Sequence, residues 1–350
     1  MPGSLRNLIR ILAAYALLSG VVVLLAATGI ANPYWVQIFE LACVVAISAQ
    51  GLNVIYGYTG LFSLGHAAFY GIGAYVAAYL MKTYGGQSQA AFLFALLAGG
   101  GAAAVVALLI GLPTLRLTSD YLGIATLGFG IIMKVIFDNA DGFLPDLGGA
   151  RGMTGIAKMT TVPWVVFFLF ASLLAVRNMI HSSYGRAILS IREDEIAAES
   201  MGVNTTRYKV KAFVIGSGLA GIAGGLFAHY TPAYLNPGMF TFIKSFEVVV
   251  MVVLGGLGSI SGAVIGAVVI TILPEALRYV KAIYPEMRDP RMVIYSMMLI
   301  ILMLTRPQGL FGRRELWDFL PKRKDTIPTD ERDKGDPTDK LDRDAGPPVT

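Results

Sequence analysis

The sequence predicts an all-α, polytopic membrane protein of about ten transmembrane or re-entrant helices, and three observations predict it. Of its 350 residues, 55% are hydrophobic and only 15% are charged. The apolar residues fall in runs close to the ~20 needed for an α-helix to cross a bilayer. The charges gather in a few short stretches between those runs and in the C-terminal tail. Helices follow from the solvent, because backbone polar groups in lipid must be paired within their own segment.

The candidate spans lie near 8–29, 34–56, 61–81, 90–112, 119–137, 162–180, 208–230, 242–257, 259–278 and 292–305. Several are short or broken by glycine, so fewer full crossings plus re-entrant pieces is an alternative reading. Residues 1–31, with Arg6 and Arg10 before an apolar stretch, have some features of a secretory signal, but the run is long for one and more spans follow. A first transmembrane helix is the reading preferred. Glycine-rich runs at 99–104, 216–225 and 255–267 suit close helix packing or broken helices.

Lys/Arg placement sets the orientation. With ten spans, Arg6, Arg10, Arg116, the 181–207 loop and the tail share one side, which the excess of basic residues marks as cytoplasmic. The opposite side receives 138–161, with Asp138, Asp141 and Asp146 against Arg151 and Lys158. Residues 1–312 form the membrane domain in this reading. Residues 313–350 form a tail with 9 Lys/Arg and 10 Asp/Glu, disordered from about 320 because it lacks apolar residues to bury. The basic excess belongs to membrane topology and does not point to nucleic acid. The single cysteine, Cys43, permits no disulfide within the chain.

Chemistry is sparse. The three histidines, His66, His181 and His229, form no metal-ligand spacing, and no catalytic set is visible; GSISG at 258–262 is only superficially like a nucleophile elbow. There is no G-x-x-x-x-G-K-[ST] phosphate loop, so ATP-driven work would need an ATPase on another chain. Charges that fall in or near spans are Glu40, Lys134, Lys244, Glu247 and Glu275. Their scarcity argues against ion coupling and suits a zwitterionic or neutral solute. Polar residues within SAQGLNVIYGYTGLFSLGHAAFYGIGAY (48–75) are the path candidates: Ser48, Gln50, Asn53, Ser63, Gly65, His66 and Tyr70. GLFSLGHA (60–67) and GLGSISGA (256–263) share Gly, Leu, Ser and Ala at matching offsets, which adds Ser259 and Ser261. Broken segments at corresponding places can mark a transport path, although the predicted topology puts both turns on one side.

Residues 181–211 are a charge-dense segment between apolar runs, with five Lys/Arg and four acids. They must sit in water and read as a docking element for a soluble partner. IREDEIAAESMG within it can form an amphipathic helix offering Ile191, Ile196, Ala198 and Met201 to a groove, with Gly202 suited to a C-cap.

GLNVIYGYTGLFSLGHAAFYGIGAY, the 192–230 stretch from REDEIAAESMG to FAHY, VVMVVLGGLGSISGAVIGAVVI and RPQGLFG (306–312) together resemble the branched-chain amino acid ABC transporter permeases, LivM branch, over about residues 40–312. The resemblance implies a permease subunit of a bacterial ATP-driven importer for hydrophobic amino acids in the inner membrane, with both termini cytoplasmic. It implies a second, LivH-type permease, two ATP-binding cassette subunits carrying ATP and Mg, and a periplasmic substrate-binding protein. The chain itself would hold no cofactor, metal or catalytic residue. EDEIAAESMG is similar to the coupling motif that docks into the ATPase, which assigns coupling to Arg192, Glu193, Asp194, Glu195, Ala197, Ala198, Glu199 and Gly202. Urea or short amides as substrate, or a stand-alone channel or ion-coupled carrier, are the competing readings.

Overall fold

The computed structural model describes residues 32–115, 119–230 and 234–283, together with Gly20, Met297, Ile300, Ile301, Leu304, Thr305, 309–312 and Glu315. Apart from Gly20, the predicted span at 8–29 lies outside the described residues, as do most of that at 292–305 and the tail from 316. What is described is all-α apart from one two-residue antiparallel pair, β1 (Met153–Thr154) with β2 (Tyr234–Leu235).

The helices are α1 (Pro33–Leu52), α2 (His66–Leu80), α3 (Gln89–Thr114), α4 (Ser119–Asp138), α5 (Val162–Ile180), α6 (Ser183–Glu193), α7 (Glu195–Ser200), α8 (Thr205–Ala228), α9 (Phe242–Gly255) and α10 (Ile260–Ile283). Among the described residues, five helical segments are long and apolar enough to cross a membrane: Pro33–Tyr58, Gln89–Thr114, Tyr121–Asp138, Val162–Ile180 and Thr205–Ala228. The chain is therefore a multi-pass membrane protein. The predicted spans at 61–81, 242–257 and 259–278 correspond to α2, α9 and α10, with α2 starting five residues later than the apolar run.

Local chemistry explains the starts. Asn32 Oδ1 accepts from Tyr34 N at 3.0 Å and Pro33 occupies the first turn of α1, where its missing N–H costs nothing. Asn204 Oδ1 accepts from Arg207 N at 3.0 Å to open α8. The core is centred on α8, which packs against α1, α2 and α3. Its GSGLAGIAGG run makes this possible. A Cβ on Gly216 would strike the carbonyl of Gly51 on α1, and one on Gly73 of α2 would strike the backbone of Gly221. Lacking side chains there, the helices approach to backbone contact, the close packing that small residues give in lipid. Large apolar residues stay on outer faces, such as Phe94, Leu97 and Leu109 on α3 and Ile131 and Ile132 on α4.

The span-associated charges are mostly paired. Lys134 binds Asp138 and Lys244 binds Glu247 at 2.8 Å. Glu275 accepts from the Tyr34 hydroxyl. Glu40 is buried, with Oε2 unpartnered among the described residues.

Candidate functional site

Two helix breaks lie at the core of the candidate site. α1 passes into a π-helical turn, Asn53–Tyr58, and ends at Gly60, whose φ of +73° is left-handed. Residues 59–65 then run back along the bundle to α2. Thr126 of α4 holds this return, its Oγ1 accepting from Leu64 N at 3.0 Å. The first turn of α2 takes its cap from far away: Ala67 N donates to Ser245 Oγ of α9 at 2.8 Å. The second break is the turn from Gly256 to Ser259 between α9 and α10, with positive φ at Gly256 and Gly258. GLFSLGHA and GLGSISGA thus both occupy breaks.

The breaks are bonded to each other. Asn53 Nδ2 donates to Ser259 O at 3.0 Å, and Asn53 Oδ1 accepts from Gly258 N at 3.0 Å. Gln50 Nε2 donates to Ile260 O at 2.5 Å. Gln50 and Asn53 are completely buried, where an unmade hydrogen bond is costly, so their amides fix the register of α1 against α10. Glu315 closes the second break from the C-terminal side. Its carboxylate accepts from Ile260 N at 2.7 Å, Ser261 N at 2.9 Å, Ser261 Oγ at 2.6 Å and Ser259 Oγ at 3.2 Å. An anion at the start of α10 meets the positive end of the helix dipole. The RPQGLFG segment satisfies the other end: Leu310 N donates to Leu254 O and Phe311 N to Gly255 O.

The proposed path residues therefore separate. Asn53, Ser259 and Ser261 are engaged in the joint between the breaks. Ser48, His66 and Tyr70 line a crevice between α1, α2 and α9 together with Lys244. His66 Nε2 shares a 3.0 Å hydrogen bond with Ser48 O, whereas Ser48 Oγ, His66 Nδ1 and Tyr70 Oη have no partner among the described residues. The crevice is closed to the size of a water molecule. Ser63 is buried in the return, also unpartnered, and Gly65 lies against the Thr126 carbonyl.

The docking segment folds as two short helices, α6 and α7, outside the spans. Ser182 caps α6, and Asp194 Oδ1 accepts from Ala197 N at 2.9 Å to cap α7. Tyr184 on α6 donates to Tyr208 O at 2.9 Å, and burial, reinforced by Tyr208, holds its hydroxyl above the ordinary phenol range. Glu195 pairs with the buried Lys209 of α8 at 2.5 Å, and Glu199 Oε1 accepts from Thr205 Oγ1 at 2.8 Å. Gly202, at φ +84°, ends the segment. Glu193 and Ala197 are exposed. Of the four apolar positions expected on the outer face, Ile191 and Ala198 pack inward, because α6 and α7 lie as separate helices at an Asp194 corner. Ile196 and Met201 remain outward, 78% and 84% exposed. Arg192 turns away from this face and donates from Nη1 to Gly57 O.

A model of the branched-chain amino acid transport system permease component matches residues 34–303. The chain belongs to that permease family. It is 33% identical over 309 residues to the high-affinity branched-chain amino acid transport system permease protein LivM of Salmonella typhimurium, a match covering 79% of this chain and 69% of that protein. The LivM protein of Escherichia coli matches equally. The LivH permease of Escherichia coli is 29% identical over 294 residues, covering 77% of this chain and 92% of its own. No solved structure gives a significant match. Sequence reading of this permease singled out Gly57 as one of the glycines able to break a helix, but missed Thr126, Ser245 and Glu315, the last of which looked like one charge among the tail's many. Among the described residues, no group of three His, Cys, Asp or Glu could hold a metal ion.

Proposed function

We propose that the chain is the transmembrane subunit of a bacterial ATP-driven importer for branched-chain or related hydrophobic amino acids. It works with a LivH-type permease, two ATP-binding cassette subunits and a periplasmic substrate-binding protein, in an inner membrane with both termini cytoplasmic. α6 and α7 form the coupling element. The observation that carries this reading is the presence of two capped helices outside the spans, with Ile196 and Met201 unburied on their outer face. Apolar side chains so exposed on a charged surface suit a partner groove.

In this mechanism ATP brings the two ATPases together and shifts α6 and α7. The shift reaches α8 through the Glu195–Lys209 pair and the Glu199–Thr205 bond. The crevice at Ser48, His66 and Tyr70 belongs to the closed state of the path. Its neutral donors and acceptors would serve a zwitterion without a permanent charge of their own, and Lys244 at its edge already has Glu247. The named relatives all belong to branched-chain amino acid systems, and no observation in the fold favours urea or short amides.

The test is uptake of radiolabelled leucine into proteoliposomes holding the two permeases and two ATPases, with the substrate-binding protein supplied, with and without ATP. Glu199→Lys and Gly202→Asp are expected to abolish ATP-dependent uptake while the protein still inserts and purifies. ATP-independent uptake by this chain alone would overturn the importer reading.

A further inference from the structure

We infer that Arg192 is a strut through which movement of α6 and α7 reaches both helix breaks, with Glu315 anchoring the far side of the same joint. The inference rests on the importer reading.

Arg192 lies in the last turn of α6, and its side chain threads between the breaks. A Cβ on Gly60 would stand 3.5 Å from Arg192 Cγ, and one on Gly258 would stand 2.7 Å from Nη1. Nη1 donates to Gly57 O. One guanidinium therefore touches both breaks: it donates to Gly57 O of the first and occupies the space beside Gly258 of the second, from which a side chain at Gly258 would displace it. The charge suits its place: Gly57 O belongs to the carbonyl end of the α1 π-turn, the end of partial negative charge. Glu315 is the converse, an anion on the amide end of α10. Tyr58 is within electrostatic reach of both Arg192 and Glu315, which puts the two charged groups at one joint. Asn53 ties the breaks together. A displacement of α6 therefore pulls on Gly57, and through Asn53 on the start of α10. By contrast, the links from Glu195 and Glu199 reach only α8.

The test is the ratio of leucine accumulated to ATP hydrolysed, read on the two permeases and two ATPases reconstituted in proteoliposomes with the substrate-binding protein supplied. Arg192→Ala is expected to lower that ratio roughly tenfold or more, the scale of one lost charge-assisted hydrogen bond. Arg192→Lys, which keeps the charge as a compact point donor, restores part of it. Arg186→Ala, which removes an exposed cation on the same helix whose side chain bonds Ser183, leaves the ratio within about twofold, since isolated surface charges contribute little. An unchanged ratio in Arg192→Ala overturns the strut, as does an equal fall in Arg186→Ala. If Arg192→Ala does not assemble, Arg192→Gln carries the test, and a wild-type ratio there overturns the strut. A wild-type complex that accumulates no leucine with ATP overturns the importer reading and the strut with it, a failure distinct from the variant outcomes.

Discussion

The two helix breaks share a glycine turn and a return into the bundle, yet they are closed by different parts of the chain. The first, Asn53–Gly65, is closed locally by Thr59, which donates back to Ile55 O, and at long range by Thr126 on the return and by the docking segment's Arg192, a cation at the carbonyl end. The second, Gly256–Ser259, uses residues more than fifty positions away, with Leu310 and Phe311 on its carbonyls and Glu315 on its amides. Irregular backbone at membrane depth is tolerated only where protein satisfies it. The difference teaches that one break answers to the docking segment and the other to the C-terminal segment. Asn53 makes them one mechanical unit.

The largest expected effect comes from striking both breaks at once. In Gly57→Val the new Cβ would overlap Asn53 Oδ1 and stand 2.7 Å from Gly258 N. Asn53 would have to release the second break, and overpacking of this kind costs ~3 kcal/mol. Thermal unfolding of the detergent-purified complex should show a clear loss of stability, with leucine uptake abolished. Wild-type stability in this variant would mean that the breaks are not joined through Asn53.

A smaller effect should fall on the second break alone. Glu315→Ala removes the acceptor for two amides and two hydroxyls, and leaving such donors unmade costs ~2 kcal/mol. Glu315→Gln keeps one carbonyl oxygen and should lose about half as much, the charge-assisted share being gone. Hydrogen exchange of the Ile260 and Ser261 amides is the sharper readout. It should quicken in both variants while the Asn53–Tyr58 turn is unchanged. Equal quickening at both breaks would make the comparison one of degree only.

Legibility followed the physics of each element. α1, α3, α5 and α8 were readable because a continuous apolar run near bilayer length leaves few alternatives. The start of α2 was not. The run beginning at 61 is apolar enough to read as helix from its start, and what delays the helix is the Gly60 turn and the bonds from Thr126 and Ser245, both distant in sequence. The docking segment was visible as charge in an apolar chain, and Gly202 was visible as a candidate end; the Asp194 corner was not, because IREDEIAAESMG reads as one continuous helix. The direction of Arg192 was not visible, since an arginine beside Glu193 and Asp194 reads as one more surface charge. Glu315 was hidden for a related reason: its meaning comes from Ile260 and Ser261, 55 and 54 residues away.

The smallest expected effect isolates strain from contact. Gly60 also sits at the first break, with φ +73°, but the nearest atom to a Cβ there is Arg192 Cγ at 3.5 Å, an ordinary van der Waals separation. Gly60→Ala therefore meets only the left-handed backbone penalty of ~1 kcal/mol for a residue with a side chain. Asn53 keeps both its bonds and Arg192 keeps Gly57. Stability should fall slightly, while leucine accumulated per ATP stays near wild type. Gly60→Ala and Gly57→Val then differ in what lies around them and not merely in their place at one turn. A coupling ratio as low in Gly60→Ala as in Gly57→Val would show that the shape of the turn, rather than the Asn53 and Arg192 bonds, carries the movement.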